Sequence, residues 1–236
     1  MKVSRGRFTL ATLFLILLTA STVLAQQTPE PKQTTPAPQK AEGAAKKINE
    51  RPAAQPTPAP EPFDGASVEK MTAQCVRLET EAGAIEIEML PESAPESVRN
   101  FLNLAATSLF DTTTFSRVVK GFVVQGGNLS TGQKWNFETA KRAARKIPDE
   151  PSLVKHERGI VSMARPDEPN SATTHFFILV GEAAQLDGKF SAFGRVTAGM
   201  DVVDAINQAE AENEKPAKPV VLTRALVREC HAAGAK

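Results

Sequence analysis

From about residue 70 to residue 232 short apolar strand-like runs alternate with turn residues, and only two segments are patterned as helices. This pattern constrains the chain more than any single motif, because short extended segments satisfy their backbone only by pairing with one another. Residues 75–80 and 84–90 flank Glu81-Ala82-Gly83, a Gly-containing connection that predicts a hairpin. Further strands are expected at 115–118, 122–125, 160–164, 176–180, 191–196 and 220–228. Two segments read as helices. The first opens at Pro95 with Glu96 near the positive end of its dipole and carries Val98, Phe101, Leu102 and Ala105 on one stripe. The second, 200–207, starts at the Gly199 turn and sets Val202, Val203 and Ile206 on one face. Many short strands with two helices predict a mainly β fold, a closed antiparallel barrel whose ends the helices cap so that no edge stays open. No internal repeat is visible.

The segments before this domain differ in kind. Lys2, Arg5 and Arg7, then the apolar run 10–18, then Thr22-Val23-Leu24-Ala25 have the grammar of an export signal, with cleavage expected after Ala25 and a periplasmic or secreted product. Residues 8–24 stand at the short limit of a bilayer-spanning helix, so an uncleaved membrane anchor is the alternative. Residues 26–66 hold nine of the 17 prolines among Gln, Thr, Ala, Lys and Glu, which predicts a disordered tether; a proline ligand for a partner module is the other reading. The folded domain is therefore expected at 67–232.

Charge and cysteine usage exclude several function classes. The formal net charge of +1 becomes −2 once the three basic residues of the signal are removed, which argues against a nucleic-acid partner. His156, His175 and His231 are scattered and lack metal-ligand spacing, so no metal is expected; His156 and His231 read as surface residues. No G-x-S-x-G elbow, phosphate-cradling glycine loop or carboxylate pair is present.

Two dense clusters carry the functional reading. The first, 110–127, is FDTTTFSRVVKGFVVQGG; the second, 159–180, is GIVSMARPDEPNSATTHFFILV, followed from residue 186 by LDGKFSAFGRV. In the first, Arg117 and Gln125 are polar residues inside strongly apolar strands. They either line a surface groove, where water and partners offset desolvation, or lie on the solvent face of an amphipathic hairpin.

These clusters resemble the cyclophilin family: F-x4-F-x-R and F-x-x-Q-G-G are similar to its signature, M-A-R with N-S-A-T-x-x-F-F-I to its bacterial exported branch, and LDGKFSAFGRV to its following loop and strand. The resemblance runs from about residue 78 to 227 and implies an eight-stranded closed barrel with two capping helices. It also implies cofactor-free peptidyl-prolyl cis/trans isomerase activity on X-Pro bonds of unfolded or flexible polypeptides, by a monomer. A proline-peptide binding module or holdase with little turnover is the second reading. A hollow barrel carrying a small apolar ligand is a third, disfavoured because apolar residues on both strand faces predict a filled core.

By the same resemblance Arg117 is the catalytic arginine, Gln125 its polar neighbour, and Phe122, Val123, Phe177 and Leu186 the proline pocket. Ala164 and Arg165 match the segment that pairs with substrate backbone, and Phe190, which falls where many members have His and bacterial ones an aromatic, is expected with His175 among the substrate-binding positions. Three positions depart from the pattern: Ser116 and His175 replace a usual His and Gln, and Gln185 stands where a Trp often packs on the inhibitor cyclosporin. In barrels of this family the first and last strands are antiparallel neighbours, so the resemblance also implies a disulfide between Cys75 and Cys230.

Overall fold

The computed structural model describes residues 59–230. The elements are α1 (Val68–Thr72), β1 (Gln74–Thr80), β2 (Gly83–Met89), α2 (Pro95–Ala106), β3 (Thr113–Thr114), β4 (Arg117–Val119), β5 (Val123–Gly126), α3 (Phe137–Ala143), β6 (Ile160–Met163), β7 (Phe176–Leu179), β8 (Ala192–Ala198), α4 (Met200–Gln208), β9 (Ala211–Glu212), β10 (Lys215–Pro216) and β11 (Val221–Glu229). The expected signal segment and most of the expected tether lie outside the described residues. Among the described residues no helix is long and apolar enough to cross a membrane.

One antiparallel sheet dominates, with strand order β3-β11-β1-β2-β8-β6-β7-β5-β4. This corrects the expectation of a closed ring of eight: the sheet has nine strands and its hydrogen-bonded order is open. The expected strand 115–118 is split because the chain changes partner within it. Phe115 N–H donates to the Val220 carbonyl and Ser116 N–H to the Gln125 carbonyl, each at 3.0 Å. The two end strands, β3 and β4, are therefore consecutive in the chain, and the sheet curls until a two-residue step joins its edges.

The strand period of two sorts side chains between faces. Val76, Leu78, Ile85, Ile87, Val118, Val124, Val161, Phe176, Ile178 and Phe193 point to one core, into which α2 inserts Phe101. Phe101 meets Phe110 and Phe176 at 5.2 Å and Phe193 at 4.9 Å, edge-on to Phe176. The interior is filled by rings, as the apolar pattern predicts, and is no carrier cavity.

Helix α2 begins at Pro95, but Ala94 has no side chain to cap it. Glu150 supplies the cap from a distant loop, accepting from the N–H groups of Glu96 and Ser97 at 2.8 Å and from Ser97 Oγ at 2.7 Å. Among the described residues four α-helices stand where two were expected. The additional ones are short: α1 is capped by Ser67, and α3 by a capping box between Asn136 and Thr139. Packing also begins before residue 67. Phe63 is buried with its N–H on Asn103 Oδ1 at 2.7 Å, and Glu61 bridges Arg142 and Arg145 at 2.5 and 2.7 Å, so the last residues expected in the tether belong to the fold.

The disulfide between Cys75 and Cys230 is present, with Cα atoms 4.9 Å apart. Cys75 faces Arg228 in the β1–β11 register, and Cys230 lies just past β11 with its N–H on the Ala73 carbonyl at 2.9 Å. The bridge thus crosses the seam between the first and last long strands diagonally.

Candidate active site

The face of the sheet opposite the main core carries a second, smaller apolar cluster: Val123, Ile160, Phe177, Leu179, Ala183 and Ala192, with Val119, Phe122, Ala164, Leu186 and Phe190 packed on it. Register explains the arrangement. Arg117 pairs with Gln125, Gln125 with Phe177 and Phe177 with Ser162, so one row of side chains runs across β4, β5, β7 and β6. Val119, Val123 and Leu179 form the neighbouring row on the same face. Two polar residues of the first cluster are thereby set at the edge of an apolar patch, which decides the open alternative for Arg117 and Gln125 in favour of a groove.

That groove holds a cavity of about 140 Å³ lined by Arg117, Phe122, Val123, Gln125, Ala164, Arg165, Phe177, Leu186 and Phe190. It is smaller than sites that enclose whole organic ligands and suits a single small ring. Every residue expected at the site lines it except His175. His175 lies one step before β7, with its Cα against Gly127, and its carbonyl accepts from the Ala164 N–H at 2.9 Å. Burial pushes the His175 imidazole below its ordinary pKa of 6.5.

The walls are braced individually. Arg117 Nη1 donates to Gln125 Oε1 at 3.2 Å, and its Nε meets Glu214 Oε2 at 2.7 Å. Phe190 stands edge-on to Phe177 with centroids 6.0 Å apart, and the Arg165 guanidinium lies 5.1 Å over the Phe190 ring. Arg165 Nε is 3.0 Å from Asp149 Oδ1, and Nη2 donates to the Lys189 carbonyl at 3.3 Å, so this arginine ties the loop after β6 to the loop that carries Phe190.

Sequence reasoning places His156 on the surface, and the structure buries it. Its N–H donates to Asp187 Oδ1 at 2.8 Å, its Nδ1 is 3.2 Å from the same oxygen, and its Nε2 is 3.0 Å from Ser162 Oγ. The carboxylate fixes the tautomer with the proton on Nδ1, leaving Nε2 to accept from the serine hydroxyl. Burial pushes the imidazole pKa down, opposed by the Asp187 hydrogen bond and charge. Asp187 is held below the usual carboxylate range, chiefly by the His156 backbone N–H and then by Lys155 and the ring. Although Ser, His and Asp are aligned, Ser162 is fully buried in the sheet and cannot reach a substrate carbonyl. The network clamps the turn that presents Leu186. Glu214 also escapes sequence reasoning; no local motif marks it, because its partner lies 97 residues away.

A larger depression of about 430 Å³ beside Lys155, Glu157, Arg158 and Arg195 has charged walls, and its three cations already pair with Asp187, Asp204 and Glu88. Among the described residues no group of His, Cys, Asp and Glu could hold a metal ion.

Residues 75–227 match the family model for cyclophilin type peptidyl-prolyl cis-trans isomerase/CLD. The chain is 37% identical over 166 residues to peptidyl-prolyl cis-trans isomerase A of Dickeya dadantii, covering 66% of this chain and 85% of that protein. It is 37% identical over 157 residues to peptidyl-prolyl cis-trans isomerase cypE of Dictyostelium discoideum, covering 66% and 98%. Among solved structures, a Cryptosporidium parvum cyclophilin type peptidyl-prolyl cis-trans isomerase in the presence of the dipeptide ala-pro is similar with a TM-score of 0.59 and 26% identity, over 66% of this chain and 99% of that one.

Proposed function

The chain belongs to the cyclophilin-type peptidyl-prolyl cis-trans isomerases, and from that premise we propose that the Arg117 groove is where it isomerises X-Pro bonds. The observation that carries this reading is a guanidinium held by Gln125 at the rim of an apolar cavity sized for one ring.

An X-Pro amide isomerises over a barrier of roughly 18 to 20 kcal/mol because rotation destroys its resonance. No covalent bond is made or broken, so the site has to favour the twisted amide over the planar one. Phe122, Val123, Phe177, Leu186 and Phe190 hold the proline ring. Arg117 donates to the prolyl nitrogen, whose lone pair becomes a good acceptor only when the amide is twisted. That hydrogen bond strengthens in the transition state and so lowers the barrier. Gln125 orients the guanidinium. The Ala164 N–H is already used by His175, so pairing with the substrate backbone falls to the Ala164 carbonyl and the Arg165 N–H. The Cryptosporidium relative in the presence of ala-pro supports a proline-containing peptide as substrate.

We read the enzyme as acting as a monomer. It belongs to an exported bacterial branch and works in the periplasm or outside the cell. This rests on the signal-like residues 1–25 and on a disulfide suited to an oxidising compartment. Intact mass of the product from an exporting host checks it: loss of residues 1–25 is expected, and a full-length cytosolic product would refute it.

Arg117→Ala tests the site. The variant is expected to keep its melting temperature and to lose at least about tenfold in kcat/KM on an Ala-Pro peptide, or about 1.4 kcal/mol of transition-state stabilisation. Equal turnover would remove Arg117 from the mechanism. Peptide binding without any acceleration of exchange in the unaltered protein would favour the binding-module alternative.

A further inference from the structure

The hairpin of β9 and β10 turns through two residues, Asn213 and Glu214, both with left-handed backbone at φ 49° and 65°. A two-residue turn of this kind ordinarily takes Gly at its second position, because only Gly adopts that conformation without a steric cost. Here the second position is Glu214. An exposed ion pair adds little to stability, less than such backbone strain removes, so folding alone does not account for a glutamate at this point.

What the glutamate reaches is the Arg117 guanidinium, with Oε2 2.7 Å from Nε. The backbone of the same residue is fixed to the arginine's own strand, its carbonyl accepting from the Val118 N–H at 2.8 Å. The hairpin base is closed by Ala217 N–H on the Glu210 carbonyl at 2.9 Å. From the opposite side Gln125 Oε1 takes Nη1 at 3.2 Å. Two of the three guanidinium nitrogens are thus held, and Nη2 has no hydrogen-bond partner among the described residues.

We infer that Glu214 is a positioning residue of the isomerase reaction, gripping Arg117 at Nε so that the guanidinium edge bearing Nη2 is presented to the prolyl nitrogen. The inference rests on the catalytic reading of Arg117 given above. A donor already fixed in place loses less freedom when the amide twists, so the grip acts on kcat more than on KM.

The test compares the full chain with Glu214→Gly, Glu214→Gln and Arg117→Ala, reading kcat and KM on an Ala-Pro peptide together with the melting temperature. Glu214→Gly relieves the backbone strain, so its melting temperature should hold or rise while kcat falls about three- to tenfold with KM nearly unchanged. A merely structural residue would not separate the two readouts. Glu214→Gln should lose kcat by a similar factor, and raising salt from about 50 mM to about 500 mM should lower kcat of the unaltered chain but not of this variant. In the Arg117→Ala background, Glu214→Gln should cause no further loss. Unaltered kcat in both Glu214 variants, with Arg117→Ala impaired, would overturn the positioning role and leave the site standing. Unaltered activity in Arg117→Ala would overturn the site itself.

Discussion

A single imidazole connects the pocket to the pH of the surroundings. His156 is neutral and buried, and it joins Asp187, beside the pocket residue Leu186, to Ser162 of β6. His156→Ala leaves a buried hydroxyl without its acceptor and a carboxylate without its ring donor, at a cost of about 2 to 4 kcal/mol. It also frees the 183–190 turn, so KM for an Ala-Pro peptide should rise by a larger factor than kcat falls; an unchanged KM would refute the clamp. The sign of the pH effect follows from burial. The folded-state pKa values of His156 and His175 lie below the unfolded 6.5, so as pH falls through 6.5 the unfolded chain takes up protons that the native chain does not. Stability is therefore full above that range and declines as pH falls below 6.5 until the native imidazoles protonate. Thermal melts between about pH 5 and pH 7.5 should show a slope that His156→Ala makes shallower. The sequence hides this network because Asp187 lies 31 residues from His156, and a lone His among polar neighbours carries no mark of burial. Arg117 and Gln125, by contrast, are legible, since polar residues that interrupt apolar strands need a partner or a groove whatever the fold around them.

Strands and helices differ in how much of themselves they disclose. Short apolar runs between turn residues mark β1, β2, β5, β6, β7 and β8 to within about two residues at either end, and α2 is announced by Pro95 and its apolar stripe. Helix α3 escapes notice because it buries none of its residues, leaving no stripe to read, although Asn136 and Thr139 spell its capping box. The partner change at Phe115 and Ser116 is equally illegible, because the chain is in strands on both sides of it and nothing in the residues says which strand each will pair with. Gly127, directly after β5, shows how an element's end fixes the site. Its φ is 84°, and a Cβ there would sit 2.2 Å from the Thr174 carbonyl and 2.9 Å from His175 Cα. Gly127→Ala therefore forces β5 away from the start of β7 and should cost about 3 kcal/mol or more, with loss of turnover. Gly188→Ala is the control: φ is 66° but nothing lies within 4 Å, so only backbone strain of about 1 kcal/mol is expected. Equal melting temperatures for the two variants would show that the close approach is not a constraint.

At the scale of the molecule, the disulfide and the active site occupy different parts of one sheet. The cavity is built on β4, β5, β7 and β6, whereas Cys75 and Cys230 join β1 to the end of β11, with β8 and β2 between in one direction round the curled sheet and β3 in the other. The pairing is legible only through resemblance, because two cysteines 155 residues apart say nothing by themselves of which strands adjoin. Closing so long a loop restricts the unfolded chain and stabilises the fold by up to about 5 kcal/mol in the chain-entropy model, with measured gains often smaller. The Cys230 N–H on the Ala73 carbonyl and the seven-residue β1–β11 register remain when the bond is cut, so the seam should stay paired at 25 °C and the pocket intact. Cys75→Ser with Cys230→Ser should thus lower the melting temperature by roughly 5 to 15 °C, consistent with a loss of about 2 to 4 kcal/mol in a domain of this size. Its kcat/KM at 25 °C should match that of the oxidised chain, and adding reductant to the unaltered protein should reproduce the same shift. Equal melting temperatures would show that the bond does not stabilise the fold, and a parallel fall in kcat/KM at 25 °C would show that the seam is coupled to the Arg117 groove.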